Sequence, residues 1–177
     1  MTIELRGGAV TLRAFRPEEY DEMISRIPGG DLNDPEQMRI RRARLEHSGT
    51  RTADELLLAI ETGGRIVGDM QGRSIRMAMP AGVWEIGIEL WDTGDRGRGL
   101  GREAVTLLTS YLFEHEGAHR VQGSTDVANA AMRRVFEVLG YTDEGTMRGF
   151  MPNADGAMRD YELYAVTKDD WERTRNH

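Results

Sequence analysis

The strongest chemical signal in this sequence is a loop, residues 92–102, in which glycine alternates with arginine. Glycine has no β-carbon, so backbone N–H groups in such a loop can come close to an anion. An amphipathic helix is predicted to begin near Gly101, and a helix N-terminus adds unpaired N–H groups and about half a unit of positive charge. The loop therefore predicts a site for a phosphate-bearing cofactor rather than a plain turn, which needs fewer glycines and no flanking arginines.

Carboxylates on the strand that precedes this loop are candidates for proton transfer. Residues 83–91 alternate in character, so the apolar side chains share one face while Glu85, Gly87 and Glu89 share the other. Two acids that flank a glycine can line a cleft, where like-charge crowding or burial raises a carboxyl pKa towards neutrality. Glu85 is the candidate general base, with Glu89 behind it. The alternative is that both side chains simply point into water.

Strands and helices must alternate along the chain to position these residues. Strands are predicted over residues 9–15, 55–61, 65–71, 83–91, 119–125, 142–148 and 159–166. Helices are predicted from Pro17, from Pro35 to about His47, after Gly101, across residues 130–139 and after Thr167. Because no linker or internal repeat interrupts this order, the sequence predicts one mixed α/β domain over residues 1–177.

Composition restricts the classes of function. The chain has 177 residues, a formal net charge of −7 and no cysteine, which excludes disulfides and thiol chemistry and disfavours general nucleic-acid binding. No apolar run approaches the roughly 18 residues that span a bilayer. The first residues also lack the features of a signal peptide, so a cytoplasmic protein is expected. No metal site is predicted, because no metal-ligand spacing connects His47, His115, His119 and His177.

Four motifs in the second half of the chain, taken in order, resemble those of one protein family. Glu85-Ile86-Gly87 resembles that family's fourth-strand signature, and residues 96–101 fit its pattern of Arg or Gln, two residues, Gly, one residue, Gly or Ala. Residues 129–141 resemble the next segment, and residues 144–148 with 159–164 resemble the closing hairpin. On these motifs the chain resembles the GNAT superfamily of acyl-CoA-dependent N-acetyltransferases, in the branch of the ribosomal-protein alanine acetyltransferases RimJ and RimL.

The resemblance implies the GNAT fold, a mixed α/β (α+β) fold. Its largely antiparallel seven-stranded sheet has a splayed parallel central pair and helices on both faces. The implied cofactor is acetyl-CoA, whose pyrophosphate would bind backbone N–H groups of the loop residues Arg96, Gly97, Arg98, Gly99, Leu100, Gly101 and Arg102. Leu90 and Trp91 would offer main-chain hydrogen bonds to the pantetheine arm, Asn129 would contact the cofactor, and Arg134 would meet its phosphates.

The resemblance also implies a reaction, the direct attack of a neutral primary amine on the thioester after Glu85 or Glu89 has taken the amine's proton. Met132 and Phe136 stand where the family usually carries a serine or a tyrosine that protonates the departing thiolate. Tyr141 and solvent are the remaining candidate donors, unless the thiolate leaves without one. An active N-acetyltransferase and a non-catalytic acyl-CoA-binding module therefore both stay open.

The expected acceptor is a small cationic amine, such as a polyamine or aminoglycoside, or a protein N-terminal amine. The acidity of the chain favours the small cation. In the superfamily, acceptor specificity lies in loops, here residues 27–52 and 147–159. No nucleic acid or membrane partner is expected, and a homodimer is compatible with the resemblance because dimers are common in this superfamily.

A dinucleotide site is the rival interpretation of the same glycines. Residues 99–104 also match the pattern G-x-G-x-x-A, and Asp126 lies near the end of the next strand, where a ribose-binding acid belongs. However, residues 92–98 separate the preceding strand from the first of these glycines, whereas the dinucleotide fold needs a tight turn there. Too little chain also follows to complete a six-stranded parallel sheet.

Overall fold

The computed structural model describes residues 2–26, 33–75, 81–153 and 155–175. In these residues, eight strands form one sheet in the order β1-β2-β3-β4-β5-β6-β8-β7. The strands are β1 (Leu5–Arg6), β2 (Thr11–Arg13), β3 (Glu55–Thr62), β4 (Arg65–Ser74), β5 (Val83–Leu90), β6 (Arg120–Asp126), β7 (Thr142–Pro152) and β8 (Met158–Thr167). The helices are α1 (Tyr20–Arg26), α2 (Pro35–Glu46), α3 (Leu100–His115), α4 (Ala130–Val138) and α5 (Lys168–Arg175).

The centre of the sheet is a parallel pair, β5 and β6, among described strands that otherwise pair antiparallel. Helix α3 provides the crossover that two parallel neighbours require. The two strands pair only where Val83–Glu85 lies beside Arg120–Gln122. Both strands continue beyond these residues, to Leu90 and Asp126, so a gap opens between them. We call this gap the fork.

One face of the sheet is covered by α3 and α4. Helix α3 buries an apolar stripe that includes Ala104, Leu108 and Leu112, as expected for an amphipathic helix that packs on a sheet. Phe136 of α4 joins the same core, together with Trp84 of β5. The apolar residues of both helices thus pack into the core of this face.

The opposite face carries a smaller apolar cluster under α1 and α2. Tyr20 and Ile24 of α1 pack with Leu45 of α2 against Leu57 and Ala59 of β3. This cluster covers mainly β3, so the same face of β4, β5 and β6 carries polar side chains. The two faces of the central strands therefore have different chemistry, one filled with core and the other polar.

The predicted architecture is confirmed, with differences at its edges. The structure adds the two-residue strand β1 to the predicted strands, and β2 is shorter than its predicted range of 9–15. The chain after Pro17 first forms a single 3-10 turn, Pro17–Glu19, before α1. Helix α2 begins as predicted because the Asp34 side chain accepts hydrogen bonds from the backbone N–H groups of Glu36 and Gln37.

The sheet topology excludes the dinucleotide interpretation, because a doubly wound fold requires parallel strands throughout its centre. Asp126 is also occupied: its Oδ1 accepts the backbone N–H of Ala128 at 2.7 Å, and its Oδ2 lies 3.2 Å from Nε of Arg159. None of the helices in the described ranges is long and apolar enough to cross a membrane.

Candidate active site

The fork exposes backbone groups of β5 that no strand uses. The backbone N–H of Trp91 donates to Val67 of β4 at 3.0 Å, and in an antiparallel pair every second residue points its N–H and C=O groups to the same neighbour. Ile88 and Leu90 therefore point theirs the other way, into the fork. The Leu90 carbonyl accepts a hydrogen bond from Nη2 of Arg96 at 3.1 Å, so a loop arginine already reaches this edge.

This geometry corrects one prediction about the pantetheine arm. The main-chain groups of Leu90 face the fork, and its contact with the pantetheine arm stays a prediction. Trp91 was expected to offer main-chain bonds as well, but its N–H is already bonded to β4. The two residues differ because adjacent residues of a strand direct their backbone groups to opposite sides.

The glycine–arginine loop has the form of an anion site. Gly97 and Gly99 have φ angles of 72° and 83°, in the left-handed region that favours glycine. Gly99 is the N-cap of α3 and supplies no side-chain cap, so the N–H groups of the first helical turn remain without a helical partner. Arg98 and Arg102 flank them as exposed cations. The structure thus presents the predicted donors and positive charges together at one helix N-terminus.

A buried carboxylate that sequence reasoning missed holds this loop in place. Asp95 is only 2% exposed, and its Oδ2 accepts a hydrogen bond from Nη1 of Arg65 at 3.0 Å. Its Oδ1 lies 3.2 Å from Nη1 of Arg98. The hydrogen bonds from Arg65 hold the pKa of the Asp95 carboxyl below its ordinary value. Asp95 is thus an internal counter-ion that joins the loop to β4 and orients Arg98.

The polar face of the central strands lies beside the fork. Cross-strand neighbours pair Asp69 with Glu89 and Arg73 with Glu85, and directly opposite residues share a face. Nη2 of Arg73 lies 3.1 Å from Oε1 of Glu85, and Nε2 of Gln122 on β6 is 3.5 Å from its Oε2. Glu85 therefore stands at the point where the two strands part, on the same polar face as Glu89 and Asp69.

Asp69 is the second residue that sequence reasoning missed. It is 8% exposed, and Nε1 of Trp91 donates to its Oδ1 at 3.2 Å. Burial and the nearby charge of Glu89 raise the pKa of its carboxyl to about 6. The sequence does show an acid among the apolar residues of β4, and this could have singled out Asp69. That Asp69 lies close to Glu89, however, depends on how the two strands pair.

Tyr141 was expected as a candidate proton donor, and the structure contradicts this. Its side chain is 5% exposed within the core, and its hydroxyl lies 2.7 Å from the hydroxyl of Thr109 on α3. Burial raises the pKa of Tyr141 well above its ordinary value. The residue follows Gly140 at the end of α4, where the chain turns inward, so its ring packs against Phe136 and does not face the fork.

The remaining predicted residues lie on α4. Asn129 is its N-cap, and its side-chain Oδ1 accepts the backbone N–H of Met132 at 3.2 Å. That leaves the amide nitrogen of Asn129 for a cofactor. Arg134 is exposed and lies 3.4 Å from Glu137 on its own helix. Phe136 is 2% exposed and Met132 is half-buried against the core, so the two positions where the family usually carries an acid are filled by packing.

Comparison with known proteins agrees with this arrangement. Residues 9–142 match the acetyltransferase (GNAT) domain family. A curated relative, the probable N-acetyltransferase YjcK of Bacillus subtilis, is 29% identical over 82 residues, which is 46% of this chain and 45% of that protein. The chain therefore matches less than half the length of this relative.

Solved structures share the fold. RimJ of Mycobacterium smegmatis in complex with CoA-disulfide aligns with a TM-score of 0.71 and 22% identity, over 95% of this chain and 87% of that one. Spermidine/spermine N-acetyltransferase SpeG of Vibrio cholerae aligns with a TM-score of 0.75 and 14% identity, over 94% and 96%. Ribosomal-protein-S5-alanine acetyltransferase of Vibrio fischeri aligns with a TM-score of 0.75 and 18% identity, over 96% of this chain and 98% of that one. With the fork, the anion loop and the family match in agreement, the chain belongs to the GNAT family of acetyltransferases, whose cofactor is acetyl-CoA.

Proposed function

We propose that this protein transfers the acetyl group of acetyl-CoA to a primary amine by direct attack of the amine on the thioester. One observation carries the proposal: β5 presents backbone groups that no neighbouring strand uses to the fork along its edge, and carboxylates on its polar face. The cofactor's pantetheine arm would bind the backbone edge while its pyrophosphate binds the loop at Gly99. The amine would arrive from the carboxylate side. The sequence contains no cysteine, so no cysteine thioester intermediate can form.

A small cationic amine is the acceptor that the polar face favours. Glu85, Glu89 and Asp69 lie on this face, and the chain carries a formal net charge of −7, which steers cations towards it. Arg73, the described cation nearest to Glu85, is paired with it. SpeG, whose name specifies spermidine and spermine, shares the fold, but so do two proteins that are named as RimJ and ribosomal-protein-S5-alanine acetyltransferase. A protein N-terminal amine is therefore the second candidate.

Thiol release from acetyl-CoA tests the proposal directly. The purified protein would be mixed with saturating acetyl-CoA and with polyamines, aminoglycosides, amino-acid derivatives or short peptides, and free thiol would be read with a colorimetric reagent. The protein adds no background because it lacks cysteine. We expect amine-dependent release with a polyamine or aminoglycoside. Tight acetyl-CoA binding without release on any amine would instead favour a non-catalytic acyl-CoA-binding module.

The first variant tests where the amine binds. Because Arg73 lies beside Glu85, we assign Glu85 to binding the acceptor's ammonium group rather than to removing its proton. Glu85→Gln keeps the size of the side chain and removes its charge, so the KM for the amine is expected to rise about 10-fold. The KM for acetyl-CoA should stay unchanged, since the cofactor uses the backbone edge. Initial rates over a matrix of both substrates measure this, and an equal rise in both KM values would contradict the assignment.

The second variant tests whether the rate is limited because no side chain protonates the departing thiolate. The ring tip of Phe136 and the carbonyl of Ile86 both lie beside Gly123 at the fork. A β-carbon on Gly123 would be 2.8 Å from Cζ of Phe136 and 3.2 Å from the carbonyl oxygen of Ile86. Phe136→Tyr adds a hydroxyl at this tip and is expected to raise kcat by about 10-fold, because general-acid assistance becomes available. Phe113→Tyr, buried on α3 against Trp171, is the control for a hydroxyl added elsewhere in the core. An unchanged kcat in a folded Phe136→Tyr protein would show that loss of the thiolate does not limit the rate.

A further inference from the structure

The Asp69 carboxyl has an unusual environment for a titratable group. It lies in the middle of β4 and is more than nine-tenths buried, where an unpaired negative charge is costly. The indole N–H of Trp91 is its hydrogen-bond donor. Within the described ranges of the chain, no cation comes within ion-pair distance of it. A carboxyl placed in this way is unfavourable for stability when it is ionised, so its presence needs another explanation.

The position of Asp69 suggests that explanation. Asp69 is directly opposite Glu89, on the same face as Glu85, and two residues before Gln71, which pairs with Gly87 at the fork. Neighbouring strands lie about 4.8 Å apart, so Asp69 is one strand away from the fork. Its small exposed surface therefore borders the polar face from which an amine would approach.

We propose that Asp69 is the proton acceptor for the acceptor's ammonium group, a role that rests on the proposed transfer to an amine. One proton of the ammonium moves to the Asp69 carboxylate, and the freed nitrogen lone pair forms the C–N bond to the thioester carbonyl carbon. The C–S bond then breaks, and CoA leaves with its electron pair. The nitrogen loses a second proton, which neutralises the thiolate, and keeps the third as the amide N–H. Asp69 then returns its proton to water.

The surroundings of Asp69 suit this role. Burial, and to a smaller extent the charge of Glu89 facing it from β5, raise the pKa of its carboxyl to about 6. The indole of Trp91 and the charge of Arg44 on α2 act in the opposite direction, and Arg26 of α1 lies over the Trp91 ring. A base with a pKa near 6 is still ionised at neutral pH but accepts a proton more readily than an ordinary aspartate. Activity should therefore rise with pH through about 6, as a property of the Asp69–Glu89 pair.

The same pKa shift predicts an effect on stability with a defined sign. The folded-state pKa of Asp69 is raised above its ordinary value of 3.8, so the folded protein holds the proton more tightly than the unfolded chain. Stability from this group is then present at low pH and is lost as the pH rises towards about 6. Removing the charge should stabilise the protein at neutral pH. A residue needed for structure would show the opposite.

Asp69→Asn separates these roles, because the amide oxygen can still accept the indole N–H of Trp91. We expect kcat to fall by roughly 30-fold, the acid limb of the pH–rate profile near pH 6 to vanish, and the KM for acetyl-CoA to stay constant. The Tm at pH 7.5 should rise by roughly 5 °C. Asp169→Asn, an exposed position on α5, is the matched control and should change none of these.

A second variant tests the proposed role of Asp69 without changing Asp69 itself. Trp91→Phe removes the hydrogen bond that lowers the pKa of Asp69, so the acid limb of the pH–rate profile should move to higher pH, whatever the change in the maximal rate. The inference is overturned if Asp69→Asn keeps the wild-type rate and acid limb, or if it loses Tm and activity together. It also fails if the limb does not move in Trp91→Phe. If wild-type protein releases no thiol with any amine, the proposed function itself fails, which is a different result from an active enzyme that does not need Asp69.

Discussion

Substitution of Gly68 by alanine is expected to lower the free energy of unfolding by about 3 kcal/mol and the Tm by about 8 °C. A β-carbon at Gly68 would lie 2.0 Å from the carbonyl oxygen of Glu89 and 3.2 Å from the α-carbon of Leu90. Both are backbone atoms, so no side chain can rotate away to relieve the clash, and β5 itself must move. Because that movement displaces Leu90 at the fork, the affinity for acetyl-CoA should fall as well.

Gly72→Ala is the matched control on the same strand and the same face. Its β-carbon would meet the Trp84 ring at 3.4 Å, an ordinary contact, so we expect a change of less than about 1 kcal/mol. Thermal unfolding followed by circular dichroism and calorimetric titration with acetyl-CoA would compare the two variants. If Gly68→Ala unfolds with the same Tm as Gly72→Ala, β4 and β5 can separate at no cost, and Gly68 has no role in setting the course of β5.

Gly99→Val is expected to weaken acetyl-CoA binding by about 100-fold, equivalent to about 2.7 kcal/mol. Gly99 has a φ of 83°, which costs an L-residue roughly 1–2 kcal/mol and a β-branched one more. The new side chain would also stand among the N–H groups that are proposed to bind the pyrophosphate. Strain and obstruction therefore act together at this position.

A second glycine with the same backbone conformation provides a control for the backbone strain alone. Gly156, in the β7–β8 turn, has a φ of 84° and, like Gly99, has open space where a β-carbon would be. Gly156→Val should therefore cost similar stability while leaving acetyl-CoA affinity at the wild-type value. Equal affinity losses in both variants would mean that strain spreads through the protein, and the specific role of Gly99 would be refuted.

The sequence was sufficient for those features that depend on local order along the chain. The alternation over β5, the glycine loop and the start of α3 all follow from residue types a few positions apart, and the structure confirms them. The parallel central pair came from the family resemblance and is confirmed. The start of α2 was equally readable, because Asp34 followed by Pro35 is a local capping signal.

Features that depend on pairing between distant segments could not be predicted in this way. Asp69 is important because it lies opposite Glu89, and cross-strand register is invisible in the spacing of either strand alone. The family resemblance implied that Trp91 contacts the pantetheine arm, and the sequence does not say which edge of β5 each backbone group faces. Tyr141 was a candidate proton donor whose position the sequence did not give, and its ring points into the core, with its hydroxyl beside that of Thr109.

The arrangement of β5 has a consequence for how such a protein changes its substrate. The cofactor is proposed to use the backbone edge at Ile88 and Leu90, which every amino acid supplies, whereas the acceptor is proposed to meet the side chains of Glu85 and Glu89. Substitutions at these two positions can alter charge and shape without removing a hydrogen bond to acetyl-CoA. Mutation of these two side chains can therefore change the preferred amine while the acyl donor stays the same. A directed-evolution library at these positions would vary the acceptor site and, through Glu89, the surroundings of Asp69.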